Sequence, residues 1–240
     1  MRSLTCMHGL PSATILQVLD ERFALAGELH ELPAYLDQNY RLTTSAGEDY
    51  IVKVAAGDGA PLPGQHAALA LLGELEFPVP RVIPDRADTD VVRVHHDGDL
   101  YCLRVLSFLP GIFYADVSPD RHSIELWADF GRLLGRLDHT LQSLDLPPVD
   151  CINAWDLAHG YVVCGDYRAL LDGSQADLVG GFLEYYRLNV LPFLGELPKS
   201  VIHNDANDHN VLVDDAHHPT RIVGLIDFGD LLYLSLIHIS

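Results

Sequence analysis

The chain is poor in cysteine and in positive charge, and it has no long apolar run. Its four cysteines, Cys6, Cys102, Cys151 and Cys164, show no C-x-x-C spacing. They read as reduced thiols in a cytoplasmic protein, not as a disulfide frame or a zinc site. Lys and Arg number 15 against 34 Asp and Glu, a formal net charge of −19. A nucleic-acid partner needs clustered cations to neutralise phosphates, and an anionic membrane surface needs a polybasic patch. Neither fits this balance, so the reading is no nucleic acid and no membrane. No stretch of about 18 apolar residues is available to cross a bilayer. No apolar core follows a charged start, as a secretory signal would require. Internal repeats are absent, and so are G-x-G-x-x-G and the zinc-protease spacing H-E-x-x-H.

What is present is core material: 48% of the 240 residues are hydrophobic, enough for one large domain or two lobes. Ile15, Leu16, Leu19, Phe23 and Leu25 recur at helical spacing between residues 12 and 26. Ser12 is the expected cap and Gly27 the expected stop. Strands are expected around Asp37–Leu42 and Tyr50–Val54, joined by a turn at Ala46-Gly47. Pro61–Pro63 opens a helix to about Glu76. Val91–His95 and Leu100–Leu106 alternate as strands about Asp97-Gly98, a pair suited to a tight hairpin turn.

The period then changes. Ser118-Pro119 is a helix start signal. Ile124, Trp127, Phe130, Leu133, Leu134, Leu137, Leu141 and Leu144 form an apolar stripe, the mark of a core helix. Leu178–Leu191 reads as another core helix, broken by Pro192.

The polar chemistry concentrates between Val201 and Asp230. Val201-Ile202 leads into His203-Asn204-Asp205, and five residues on comes Asn210. Val211–Val213 and Arg221–Ile226 read as paired strands across a turn-rich stretch, the second ending in Asp227-Phe228-Gly229. Such a hairpin puts Asp205, Asn210 and Asp227 around one small space, and hard oxygen donors of this kind suit Mg²⁺ with substrate phosphates. Turns alone favour Asn and Asp. Two triplets in this order, each after an apolar run, match instead the catalytic-loop and metal-loop spacing of kinases. A metal-dependent hydrolase built on His203, Asp205, Asp208, His209, His217 and His218 has no supporting spacing.

These residues resemble the aminoglycoside-phosphotransferase-like (choline-kinase-like) branch of the protein-kinase fold, closest to hydroxylysine-kinase-like members. The resemblance implies an α+β, protein-kinase-like two-lobe fold, with an antiparallel β N-lobe and a mainly helical, incomplete C-lobe. The expected segments are an N-terminal helical segment at 1–27, the nucleotide-covering lobe at 28–110, and a partial C-lobe at 111–234 with the catalytic and metal loops. Residues 235–240 read as a non-native tail, and the chain as a fragment truncated after the metal loop, with uncovered apolar helix faces that promote association.

The resemblance also implies roles. Asp205 is the catalytic carboxylate, with Asn210 and Asp227 as Mg²⁺ ligands. Lys53 meets the triphosphate of ATP or GTP, under a loop containing Gln38 and Asn39. The segment Arg104–Gly111 resembles the inter-lobe hinge, where the backbone of Ser107 to Leu109 meets the purine edge. His203 fixes its loop by hydrogen bonding, and Asp230 supports the metal loop. The glutamate that pairs with the lysine in the family is missing around Pro61–His66, so either Asp58, Glu74 or Glu76 substitutes or the lysine is held less firmly. The implied reaction is phosphoryl transfer to a small-molecule hydroxyl, 5-hydroxylysine or a related amino alcohol. The alternative is a nucleotide-binding module that regulates a fused PLP-dependent domain.

Overall fold

A computed structural model describes residues 9–34, 37–144 and 156–235. In chain order the regular elements are helix α1 (Ser12–Val18), strands β1 (Gly27–Leu32), β2 (Gln38–Thr44) and β3 (Asp49–Ala56), and helix α2 (Leu62–Glu74). Strands β4 (Val82–Ile83), β5 (Val92–His96), β6 (Asp99–Ser107) and β7 (Ile112–Phe113) follow, then helices α3 (Ile124–Leu141), α4 (Gly160–Tyr167) and α5 (Gly173–Asn189). Strands β8 (Lys199–Ile202), β9 (Val211–Val213), β10 (Ile222–Leu225) and β11 (Leu232–Ser235) complete the described chain. It divides into two compact units, Met1–Phe130 with Asp208–Ile226, and Gly131–Asn207 with Asp227–Ser240. Antiparallel sheet and helices together make the α+β composition that the residues led us to expect.

The first unit is built on an antiparallel sheet ordered β1-β2-β3-β6-β4, with β5 also paired to β6. Alternation gives the sheet two chemically different faces. Tyr40, Leu42, Val52, Val54, Leu103 and Val105 are buried on one, packed with Leu10, Ile15, Leu19 and Phe23 from the N-terminal helix. A fully buried aliphatic side chain contributes about 1.5–3 kcal/mol, so the segment from Leu10 to Phe23 is bound into the sheet's core by several such terms. The other face carries Asn39, Arg41, Lys53 and Arg104, as their register requires. The Asp97-Gly98 turn is present, with both residues at positive φ as a tight primed turn demands.

The helix boundaries depart from the expected ones. Pro11, not Ser12, is the N-cap of α1, and no side chain caps it. The helix widens over Leu19–Phe23 and ends at Ala24, which is left-handed at φ 59°. Gly27 is instead the first residue of β1, where a Cβ would lie 2.1 Å from the carbonyl oxygen of Thr43. Its role is strand approach, which sequence proximity to a helix end disguised. Similarly, Ser118-Pro119 opens only a short 3₁₀ turn, and the cap of α3 is Ser123, whose Oγ accepts from the Leu126 N–H at 3.1 Å.

The hairpin of β9 and β10 belongs to the first unit, with β7 adding a third strand to β9. The second unit contains β8 paired antiparallel to β11, with Leu232 opposite Ile202. It buries Leu133, Leu137 and Leu141 on one stripe of α3. Here two expectations fail. Ile124 and Trp127, at the start of α3, are exposed, and α5 buries none of its residues. Periodicity marks a face as apolar; whether anything covers it depends on the rest of the fold.

Candidate active site

The sheet of the first unit lines up one polar row. Asn39 of β2 stands opposite Lys53 of β3, and Lys53 opposite Arg104 of β6. Directly opposed residues of antiparallel strands present their side chains to the same face. Lys53 is therefore flanked by an amide and a guanidinium across three strands. Helix α2 reaches this row through Gln65, whose Oε1 accepts from Arg104 Nη1 at 2.6 Å. Arg104 is only 4% exposed, and residue-type reasoning gave no warning of it. The alternation of Arg104 with Leu103 and Val105 was the available signal. The polar residues that α2 buries are Gln65 and His66. Burial, then the Arg104 charge, pushes the His66 imidazole below its ordinary pKa. Of the acids expected as substitutes for the missing glutamate, Asp58 accepts from the Ala60 N–H, and Glu74 and Glu76 are exposed near the end of α2.

Gln38 and Asn39 begin β2, at the rim of an open cleft of about 460 Å³ lined by Glu31, Leu32, Pro33, Ala34 and Asp37 beside them. The Gln38 amide is engaged locally. Its Oε1 accepts from Leu10 N–H at 2.6 Å, and Nε2 donates to Leu10 O at 3.2 Å and to the Tyr40 hydroxyl at 2.9 Å. That leaves backbone rather than side chain for any ligand contact at Gln38. Ser107 closes β6 with a two-way link to Arg81, donating from its N–H to Arg81 O at 2.8 Å and accepting at Oγ from Arg81 N–H at 2.9 Å. Leu109 follows in irregular chain.

Asn210 is buried and immediately precedes β9. Its carbonyl accepts from the Ile226 N–H at 2.8 Å, which closes the open end of the β9–β10 hairpin. Asp227 is the next residue in the chain. Leu225 N–H donates to Pro78 O, and Ala115 N–H to Asp208 O, so both flanks of the hairpin are tied down within the first unit.

The second unit holds the other two loops. His203 is fully buried, its ring edge-on to Phe228 at 4.6 Å between centroids. Its Nδ1 accepts from the Asp205 N–H at 3.3 Å, so that nitrogen carries no proton in this arrangement. His203 acts as a peg for the loop. Asp205 Oδ1 accepts in turn from Asn207 Nδ2 at 2.7 Å. Asn204 and Asp227 both lie in the left-handed region, at φ 66° and 60°. Asn and Asp tolerate that region best among residues with side chains, and such positions collect at functional loops. Asp227 Oδ1 accepts from the Gly229 N–H at 3.3 Å, and Asp230 ends the same short turn.

Asn210 carries an amide and Asp227 a carboxylate, oxygen donors of the kind Mg²⁺ takes in small number beside phosphate and water. Among the described residues no group of three or more His, Cys, Asp or Glu is placed to hold a metal ion. His217 and His218 lie in a turn, their N–H groups bonded to Asp215. Cys102 and Cys164 are free thiols, while Cys6 and Cys151 lie outside the described residues. No described helix is long and apolar enough to cross a membrane.

Residues 28–237 match the family described as the phosphotransferase enzyme family. The chain is 24% identical over 230 residues to a hydroxylysine kinase of Mus musculus, covering 86% of this chain and 60% of that relative. It thus spans about three-fifths of that relative's length. Two solved structures are similar in fold. An amicoumacin kinase in complex with AMP-PNP, Ca²⁺ and its ligand superposes with a TM-score of 0.69 at 16% identity, covering 95% of this chain and 66% of that one. A microcompartment-associated aminopropanol kinase gives 0.68 at 21% identity, covering 92% and 70%. The fold is protein-kinase-like.

Proposed function

The chain belongs to the phosphotransferase enzyme family, and we propose that it transfers the γ-phosphoryl group of ATP or GTP to a hydroxyl of 5-hydroxylysine or a related small amino alcohol. The observation that carries this reading is the Ile226–Asn210 hydrogen bond. It closes the hairpin with the amide side chain of Asn210 just before β9 and Asp227 one peptide bond beyond Ile226. The hydroxylysine and aminopropanol kinases supply the acceptor class, since both names describe amino alcohols.

In this reading residues 28–110 form the nucleotide-covering lobe and 111–234 carry the catalytic and metal loops. Asp205 orients the acceptor hydroxyl and takes its proton as the oxygen attacks the γ-phosphorus and the nucleoside diphosphate leaves. His203 holds the Asp205 backbone, and Asn207 holds one carboxylate oxygen. Lys53 offsets charge on the triphosphate, with Asn39 and the Gln38 backbone beside it. The backbone of Ser107 to Leu109 meets the purine edge. Asn210 and Asp227 would hold Mg²⁺, which when bound neutralises charge on the phosphate oxygens. Positioning and electrostatics supply most of the rate in such reactions. ATP or GTP as donor and free thiols suit a cytoplasmic setting.

The test is single-turnover transfer by a full-length version carrying Asp205→Asn. The expected loss is about 10²-fold or more in rate, with nucleotide binding retained. An unchanged rate removes Asp205 from this role.

A further inference from the structure

Two polar atoms on the Lys53 face of the sheet are buried without a hydrogen-bond partner: Asn39 Oδ1 and Arg41 Nε. Both belong to β2 and lie two residues apart, so they face the same way at a strand spacing of about 6–7 Å. Register gives the pair a direction. Asn39 stands opposite Lys53, whereas Arg41 stands opposite Ile51, which in turn stands opposite Leu106. Leu106 adjoins Ser107, so Arg41 lies toward the segment assigned to the purine edge, and Asn39 toward the assigned phosphate lysine.

Arg41 is held in place from two sides. Nη2 donates to Asp49 Oδ2 at 2.5 Å, and the other Asp49 oxygen accepts from Thr43 Oγ1 at 2.7 Å. The guanidinium carbon lies 4.6 Å from the centroid of the Phe108 ring. The side chain is 42% exposed, so a ligand can reach it although Nε itself is covered. A buried N–H without an acceptor is rare in native proteins and calls for a partner. A planar cation stacked on an aromatic ring also presents a flat edge suited to another planar ring.

We infer that Arg41 recognises the purine base of the donor nucleotide, the exposed part of its guanidinium and Phe108 walling one side of the slot. The inference rests on the phosphotransferase reading, which supplies the nucleotide, and adds a residue that reading leaves unused. A competing role, in which Asp49, Arg41 and Phe108 only tie the strands together, would change stability without separating base from phosphate recognition.

The experiment is isothermal titration of the full chain with Mg²⁺ and non-hydrolysable ATP and GTP analogues. Inorganic tripolyphosphate serves as a probe that lacks a base. Arg41→Met and Arg41→Lys are compared with the exposed control Arg93→Met. The expected result is a loss of about tenfold or more in nucleotide affinity for both Arg41 variants, with tripolyphosphate and the Arg93→Met chain unaffected. Arg41→Lys keeps the charge, and it decides the matter if Arg41→Met does not fold. Unchanged nucleotide affinity, or equal losses for nucleotide and tripolyphosphate, overturns the inference and leaves the phosphotransferase reading standing. A wild-type chain that binds neither analogue overturns that reading as well.

Discussion

In β3, Val52 and Val54 alternate with Lys53 and are 0% and 1% exposed; in α5, Leu178, Phe182 and Tyr185 repeat at helical spacing and are 63 to 68% exposed. Both segments announce an apolar face by the period of their side chains. In the strand that face meets Leu103 and Val105 of a neighbouring strand and Leu10, Ile15, Leu19 and Phe23 of the N-terminal segment. In the helix it meets solvent. Period therefore reports what a segment could bury, and only a covering element turns it into stability. Exposed aromatic and aliphatic residues in this density mark a surface prone to association.

The contrast can be broken by substitution. Leu103→Ala removes a fully buried side chain from the sheet and is expected to cost about 2–5 kcal/mol, read as a lower urea midpoint at unchanged slope. A cost below about 0.5 kcal/mol would mean that the sheet is no better packed than α5.

A smaller effect comes from the polar side of the first unit. The Asp214 carboxyl is lowered to about 2: burial opposes ionisation, but bonds from the Thr220 N–H and hydroxyl and from the Arg221 N–H outweigh it. A carboxyl depressed in the folded state contributes stability that is complete above its unfolded pKa of about 3.9 and is lost as pH falls through the folded value. Wild type should therefore lose about 1 kcal/mol more than Asp214→Asn between about pH 4 and 2, after allowance for solvent screening. Parallel acid titrations of the two chains would show no such divergence if the turn is not held this way.

The smallest effect on stability belongs to α5. Phe182→Ser should change it by no more than about 0.5 kcal/mol while reducing self-association in sedimentation velocity. A large destabilisation would show that the face is covered after all and would erase the contrast with β3.

Much of this was legible in the residues. The strands around Lys53, the Asp97-Gly98 turn and the β9–β10 hairpin lie where alternation and turn chemistry put them, because both are properties of neighbours in the chain. The loops at His203–Asn210 and Asp227–Gly229 were legible by residue type and spacing. Helix starts were read less well: Ser118 has the right chemistry for a cap, but Ser123 holds the position. Gln38 fitted a ligand contact by type, yet its amide holds Leu10, a partner 28 residues away. Arg41 and Arg104 escaped notice because a basic residue alternating with buried ones is ordinarily on a solvent face.

The sequence by itself determined which segments alternate, which turn, and where carboxylates and amides collect, since these depend on local sterics and hydrogen bonding. Tertiary structure alone decided that Asn39, Lys53 and Arg104 form one row, that Arg41 rests on Phe108, that His203 is a buried peg, and that α5 is bare. Each of those depends on register or covering between residues far apart in the chain, and a shift of one residue in strand pairing would send the same side chains to the opposite face.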